Sequence, residues 1–135
     1  MVEIKIAYEG SLRCTAKHTP SGTTIFTDAP TDNQGKGESF SPTDLVATAL
    51  GSCMLTIMGI AAQKHQIDLS GATVTIQKEM ITQPVRRIGK LGVVFNIPAK
   101  LTPEQKQMLE NAAKTCPVHR SVHPDIEMPI KFEWA

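Results

Sequence analysis

The order of segments predicts an α+β fold. Apolar and polar residues alternate over residues 2–8, 12–16 and 126–134, the period of half-buried strands. A long uncharged run covers residues 45–62 behind a helix-start signal, and a second helix start lies at Thr102-Pro103. The helices fall between runs of strands rather than alternating with them one for one, which argues for antiparallel pairing and against a parallel wound sheet. The expected order is β-β-β-α-β-β-α-β, with no repeat and no linker, so residues 1–135 are expected to form one domain.

The first strand, residues 2–8, places Val2, Ile4, Ile6 and Tyr8 on one face, which is expected to be buried. Glu9-Gly10 is a turn. In the second strand Leu12, Cys14 and Ala16 should point inward and Arg13 to the other face. Pro20 and Gly22 mark a turn before a short third strand, residues 23–27, which completes a meander. Residues 28–40, DAPTDNQGKGESF, form a polar loop of a length that is often functional. Gly35 and Gly37 flank Lys36, but the spacing is not that of a phosphate-binding loop.

Ser41-Pro42 then opens the central helix. Ser41 is the N-cap, Pro42 occupies the first helical position, and Asp44 sits where a capping-box acid belongs. The uncharged run of 18 residues from Leu45 to Ala62 is apolar nearly all round, so burial on most faces is expected. Its length is at the lower edge of a membrane span, but its Thr, Ser, Gly and Cys content favours a core helix. Thr48, Ser52, Thr56, Gly59 and Gln63 form a stripe of small or weakly polar groups suited to the close approach of another backbone.

Residues 72–82 and 91–97 read as two further strands joined by a basic hairpin tip at 84–90. Thr102, Pro103 and Gln105 form a second capping box, opening a helix to about Thr115 with Met108, Leu109, Ala112 and Ala113 inward. Ile126, Met128, Ile130 and Phe132 alternate in the last strand.

Composition excludes several classes. The 14 basic and 13 acidic residues leave no footprint for nucleic acid or an anionic membrane, and the few aromatics offer no base-stacking platform. Met1-Val2-Glu3-Ile4-Lys5 lacks the basic-then-apolar order of an export signal. A cytoplasmic, reducing setting is therefore expected, with Cys14, Cys53 and Cys116 as free thiols.

Chemistry centres on those thiols. Cys53, in mid-helix among Ala49, Leu50, Ile57 and Ile60, reads either as an inert buried thiol or as a nucleophile. A nucleophile there needs a nearby cation, and Arg13 is the best placed by face. Cys116-Pro117 should stand at the N-cap of a short helix ended by Pro124, which would make Cys116 more acidic than an ordinary thiol. A second thiol within reach would let a sulfenic acid resolve to a disulfide. Cys116, His119 and His123 also have metal-ligand spacing, but they lack the fourth ligand of a structural zinc site, and surface histidines are the simpler reading. Cys14 reads as a buried strand residue or an extra redox partner.

SPTDLVATALGSC with the downstream TCPVHR resembles the superfamily of osmotically inducible protein C and organic hydroperoxide resistance proteins (OsmC/Ohr). YEGSLRC and DNQGKGESFSP fit the same group, and the likeness covers nearly the whole chain. The resemblance implies an intertwined homodimer whose central helices are buried against each other. It implies a thiol peroxidase acting on organic hydroperoxides and, less well, hydrogen peroxide. Cys53 would attack the peroxide, Cys116 would form the disulfide, Arg13 would stabilise the thiolate, and an external dithiol would reset the pair. No metal or organic cofactor is implied. One position departs. Peroxidase members carry Glu ten residues before the first Cys, where this chain has Thr43, so Asp44 or Glu38 would have to partner the arginine. A non-catalytic ligand-binding or redox-sensing member of the same fold is the alternative.

Overall fold

The computed structural model describes residues 1–135 in two units, 1–46 and 47–135. In the first unit β1 (Ile4–Gly10), β2 (Arg13–His18) and β3 (Thr24–Asp28) form an antiparallel meander in chain order. The β1–β2 turn places Ser11 and Leu12 at φ 53° and 63°, the positive values that a two-residue hairpin turn matched to strand twist demands. Leu12 is thereby lifted out of β2 and is 45% exposed, not inward as the alternation suggested.

The expected buried face of β1 is likewise open. Ile4, Ile6 and Tyr8 are 57%, 68% and 66% exposed, and Ile25 of β3 joins the same face through its pairing with Ala16. Alternation correctly marks the apolar side of a strand. It does not say whether the strand's own chain covers that side.

The long loop carries one 3-10 turn, Thr31–Asn33, and delivers the chain to α1 (Pro42–Lys64). The expected cap is present. The Ser41 N–H donates to Asp44 Oδ2 (2.9 Å), and the Asp44 N–H donates to Ser41 Oγ (3.1 Å).

The second unit begins in α1 and continues with β4 (Thr73–Ile81), β5 (Arg87–Ile97), α2 (Pro103–Ala113), α3 (Pro117–Ser121) and β6 (Ile130–Trp134). β4 and β5 form an antiparallel hairpin, and β5 starts four residues earlier than its pattern indicated, so the turn is confined to residues 82–86. β6 starts later than expected, at Ile130, and pairs with β5 in parallel, correcting the all-antiparallel expectation. A parallel return needs a crossover, and α2 and α3 supply it. The capping box of α2 is complete: Gln105 N–H donates to Thr102 Oγ1 (3.2 Å), and Thr102 N–H donates to Gln105 Oε1 (3.0 Å).

The core is in this unit. β5 turns Leu91, Val93, Phe95 and Ile97 inward, where Leu50, Met54 and Met58 of α1, Leu109 and Ala113 of α2, and Cys116 are also fully buried. α1 packs closest to the sheet at Gly51. A Cβ there would stand 2.9 Å from Ile76 Cγ1 and 3.3 Å from Val74 Cγ1. The close approach therefore uses Gly51, not the stripe read from sequence, whose Gly59 has open space around it. Within the single chain Ala47, Leu50, Gly51, Met54, Met58 and Ala62 of α1 are buried, whereas Ser52, Thr56, Ile60 and Gln63 are exposed. One sheet face can cover only one side of a helix. By length and composition α1 could cross a membrane, and a third of its apolar window is buried.

Candidate active site

α1 and α3 bring two thiols together across 63 positions of sequence (116 minus 53). Cys53 is half-buried in mid-helix, and Cys116 is fully buried at the N-cap of α3. α3 exists because Pro117 fixes its first helical position while Cys116, with ψ 126°, stays outside the helix. The His119 N–H donates to Cys116 Sγ at 3.3 Å, so the sulfur caps the helix. Cys53 lies near enough to Cys116 to bear on the ionisation of its thiol, and neither sulfur is in a disulfide.

Burial pushes the Cys116 thiol up from its ordinary range, and the nearness of Cys53 pushes the same way, against the pull of the His119 N–H. The expectation of an acidic Cys116 is thus overturned. Its cap geometry is as expected, but a five-residue helix gives little dipole, and complete removal from water outweighs it. The native thiol keeps its proton to higher pH than the unfolded one. The stability it contributes is intact below the unfolded thiol's range, about 8.5, and is lost as pH climbs from there toward the native value. Denaturation midpoints of the reduced protein should fall above that range, and Cys116→Ser should flatten the fall. An equally steep fall in the variant would remove Cys116 as its source.

In the first unit Arg13 is held by a buried carboxylate that the sequence reading missed. Arg13 Nε donates to Asp28 Oδ1 (2.7 Å) and Nη2 to Asp28 Oδ2 (2.8 Å), while Asp28 is 2% exposed. The guanidinium holds the Asp28 carboxyl below its usual range, and Asp28 in turn raises Arg13. Glu38 makes one longer contact with Nη2, 3.4 Å, from a solvent-exposed side chain. Phe26 lies under the guanidinium at 4.5 Å from its centroid. Of the two acids expected beside Arg13, Glu38 is therefore a minor partner, and Asp44 belongs to the α1 cap instead. Asp28 was assigned to the loop, but the β2–β3 register pairs it directly with Arg13. Counting back from the hairpin turn could have found it.

Cys14 lies half-buried in β2, between Tyr8 of β1 and Thr27 of β3. His123 lies beyond the end of α3, where its Nδ1 accepts from the Asp125 N–H at 3.1 Å. No three His, Cys, Asp or Glu side chains gather as metal donors.

A family profile described as OsmC-like protein matches residues 35–131. A solved structure from Psychrobacter arcticus, provisionally named an osmotic stress induced and detoxification response protein, is 45% identical. The match covers 98% of this chain and 96% of that one, with a TM-score of 0.93. An organic hydroperoxide resistance protein OsmC from Legionella pneumophila has the same fold at 15% identity (coverage 98% and 96%, TM-score 0.79). So does an organic hydroperoxide resistance protein from Elizabethkingia anophelis, at 17% identity (coverage 100% and 96%, TM-score 0.77). The search of curated proteins finds no match. The profile spans well over half the chain, the Psychrobacter relative spans nearly all of it, and both Cys53 and Cys116 fall inside the matched region: the chain belongs to the OsmC-like family.

Proposed function

We propose that the protein is a cytoplasmic, thiol-dependent peroxidase that reduces organic hydroperoxides and, less well, hydrogen peroxide. The observation that carries this reading is the nearness of the half-buried Cys53 to the fully buried Cys116 thiol. The Cys53 thiolate attacks the terminal peroxide oxygen, and the O–O bond breaks. The alkoxide leaves and takes a proton as the alcohol, and Cys53 becomes a sulfenic acid. The Cys116 sulfur then attacks Cys53, its proton leaves with the hydroxyl as water, and a disulfide forms. An external dithiol restores both thiols by two exchange steps and is itself oxidised to a disulfide. Arg13 stabilises the attacking thiolate and polarises the peroxide. No metal or organic cofactor takes part in these steps, and no nucleic acid or membrane is called on.

We also assign a homodimer, with residues 1–135 acting as one OsmC-like domain in each copy. It is supported by the apolar surface that a single chain leaves in water: Ile4, Ile6, Tyr8 and Ile25 on the first sheet and Ile60 on α1.

The test mixes reduced protein with one equivalent of cumene hydroperoxide, traps free thiols at once and maps the peptides by mass spectrometry. A rapid Cys53–Cys116 disulfide with one equivalent of alcohol is the expected result. Two thiols still free after many minutes would overturn the peroxidase reading in favour of a non-catalytic ligand-binding or redox-sensing protein of the same fold.

A further inference from the structure

We infer that Asp28 is the positioning residue for Arg13, fixing its guanidinium so that one edge stays presented to an anionic sulfur or oxygen. The inference rests on the peroxidase reading above. Three restraints define the guanidinium plane. The fork to Asp28 takes Nε and one hydrogen-bonding direction of Nη2, and a bidentate fork sets orientation as well as distance. Glu38 takes another direction of Nη2, and the Phe26 ring closes one flat side. What remains is the Nη1 edge of a side chain that is one-third exposed.

Asp28 is suited to this task and Glu38 is not. Asp28 sits on β3 directly opposite Arg13, its side chain is almost wholly out of water, and its N–H is tied to the Phe40 carbonyl at 3.1 Å. A carboxylate so placed has few alternative positions, and leaving it without a cation would be costly. Glu38 lies on the exposed loop and makes a single long contact. Lys36 adds a second, weaker positive influence on Asp28.

A hairpin staple would show the same contacts, so the test uses a readout that a staple would not move. Reduced wild type, Asp28→Asn, Asp28→Glu, Glu38→Gln and Arg13→Ala are each mixed with cumene hydroperoxide over a range of pH, and thiol loss is followed. The pH of half-maximal rate reports ionisation of the attacking thiol. Deleting a negative charge beside a guanidinium that keeps its place would move that pH down. Loss of orientation moves it up. Asp28→Asn is expected to slow the reaction on the order of 10- to 100-fold and to shift the profile upward. Asp28→Glu should restore part of both, and Glu38→Gln, which leaves the fork to Asp28 in place, should move the profile slightly down or leave it where it is. A profile that stays in place or moves down in Asp28→Asn overturns the inference, as does a larger effect from Glu38→Gln. Fluorescence of the single tryptophan, Trp134, checks folding. Should Asp28→Asn not fold, Asp28→Glu decides, with a smaller upward shift expected. Wild type that leaves the hydroperoxide intact, or Arg13→Ala that reacts like wild type, identifies failure of the underlying reading and overturns the Asp28 assignment with it.

Discussion

Cys53→Ser should abolish hydroperoxide reduction, a loss on the order of a thousandfold or more in rate. A serine hydroxyl is almost never ionised near neutral pH, and its oxygen is a far poorer nucleophile than a thiolate toward peroxide oxygen. Cys116→Ser should behave differently. The buried serine Oγ can still accept from the His119 N–H, so the cap of α3 survives. With no dithiol added, the first equivalent of hydroperoxide should be consumed, Cys53 should accumulate as a sulfenic acid that a dimedone-type reagent traps, and no Cys53–Cys116 disulfide can form. Measuring alcohol released per protein separates the two variants. Full activity in Cys53→Ser, or a Cys116→Ser protein that releases one equivalent of alcohol without a trappable Cys53 sulfenic acid, would break the assignment of roles.

The largest effect on stability should come from Phe95→Ala, a loss of about 3–5 kcal/mol. Phe95 is fully buried on β5 and faces Phe132 across the parallel β5–β6 pairing. Their rings stack at 4.8 Å with 5° between planes, and Trp134 continues the stack at 6.2 Å from Phe132. Glu110 of α2 accepts from Trp134 Nε1 at 3.0 Å, joining the end of that stack to the crossover helix. Truncation removes ring contacts and leaves a cavity that its rigid neighbours cannot fill. Against a typical total of about 5–15 kcal/mol, the change removes a large share of the margin. Urea denaturation followed by Trp134 fluorescence should show a lowered midpoint at unchanged slope. A loss below about 1 kcal/mol would mean that β6 is not held by this stack.

The parts of the fold legible in sequence are those with local causes. Ser41-Pro42 with Asp44, and Thr102-Pro103 with Gln105, announced the starts of α1 and α2 because a cap is made by residues three apart. Cys116-Pro117 announced α3 for the same reason. Alternation and turn signals together found every strand, with ends displaced by up to four residues, but they could not reveal that β6 runs parallel to β5, since pairing partners leave no mark on each other's spacing. The site follows the same division. Cys53 and Cys116 each stood out, and only the tertiary structure brings their sulfurs together. Local cap geometry suggested an acidic Cys116, and burial, a property of the whole second unit, reversed it. With Thr43 in place of an acid, Asp44 or Glu38 was expected to partner Arg13, and the strand register instead supplies Asp28.

Gly51 has a consequence for the direction in which Cys53 points. A helix that is apolar nearly all round has little in its own composition to tell it which way to roll, since almost any side could be offered to the sheet. The notch at Gly51, into which Ile76 and Val74 fit, favours the rolling angle that turns it toward β4. Each residue advances about 100° around the axis, so a slip by one position would swing the Cys53 sulfur by that much, away from Cys116. The missing side chain thus acts as a keyway: it indexes the helix, and it aims a thiol two residues further on.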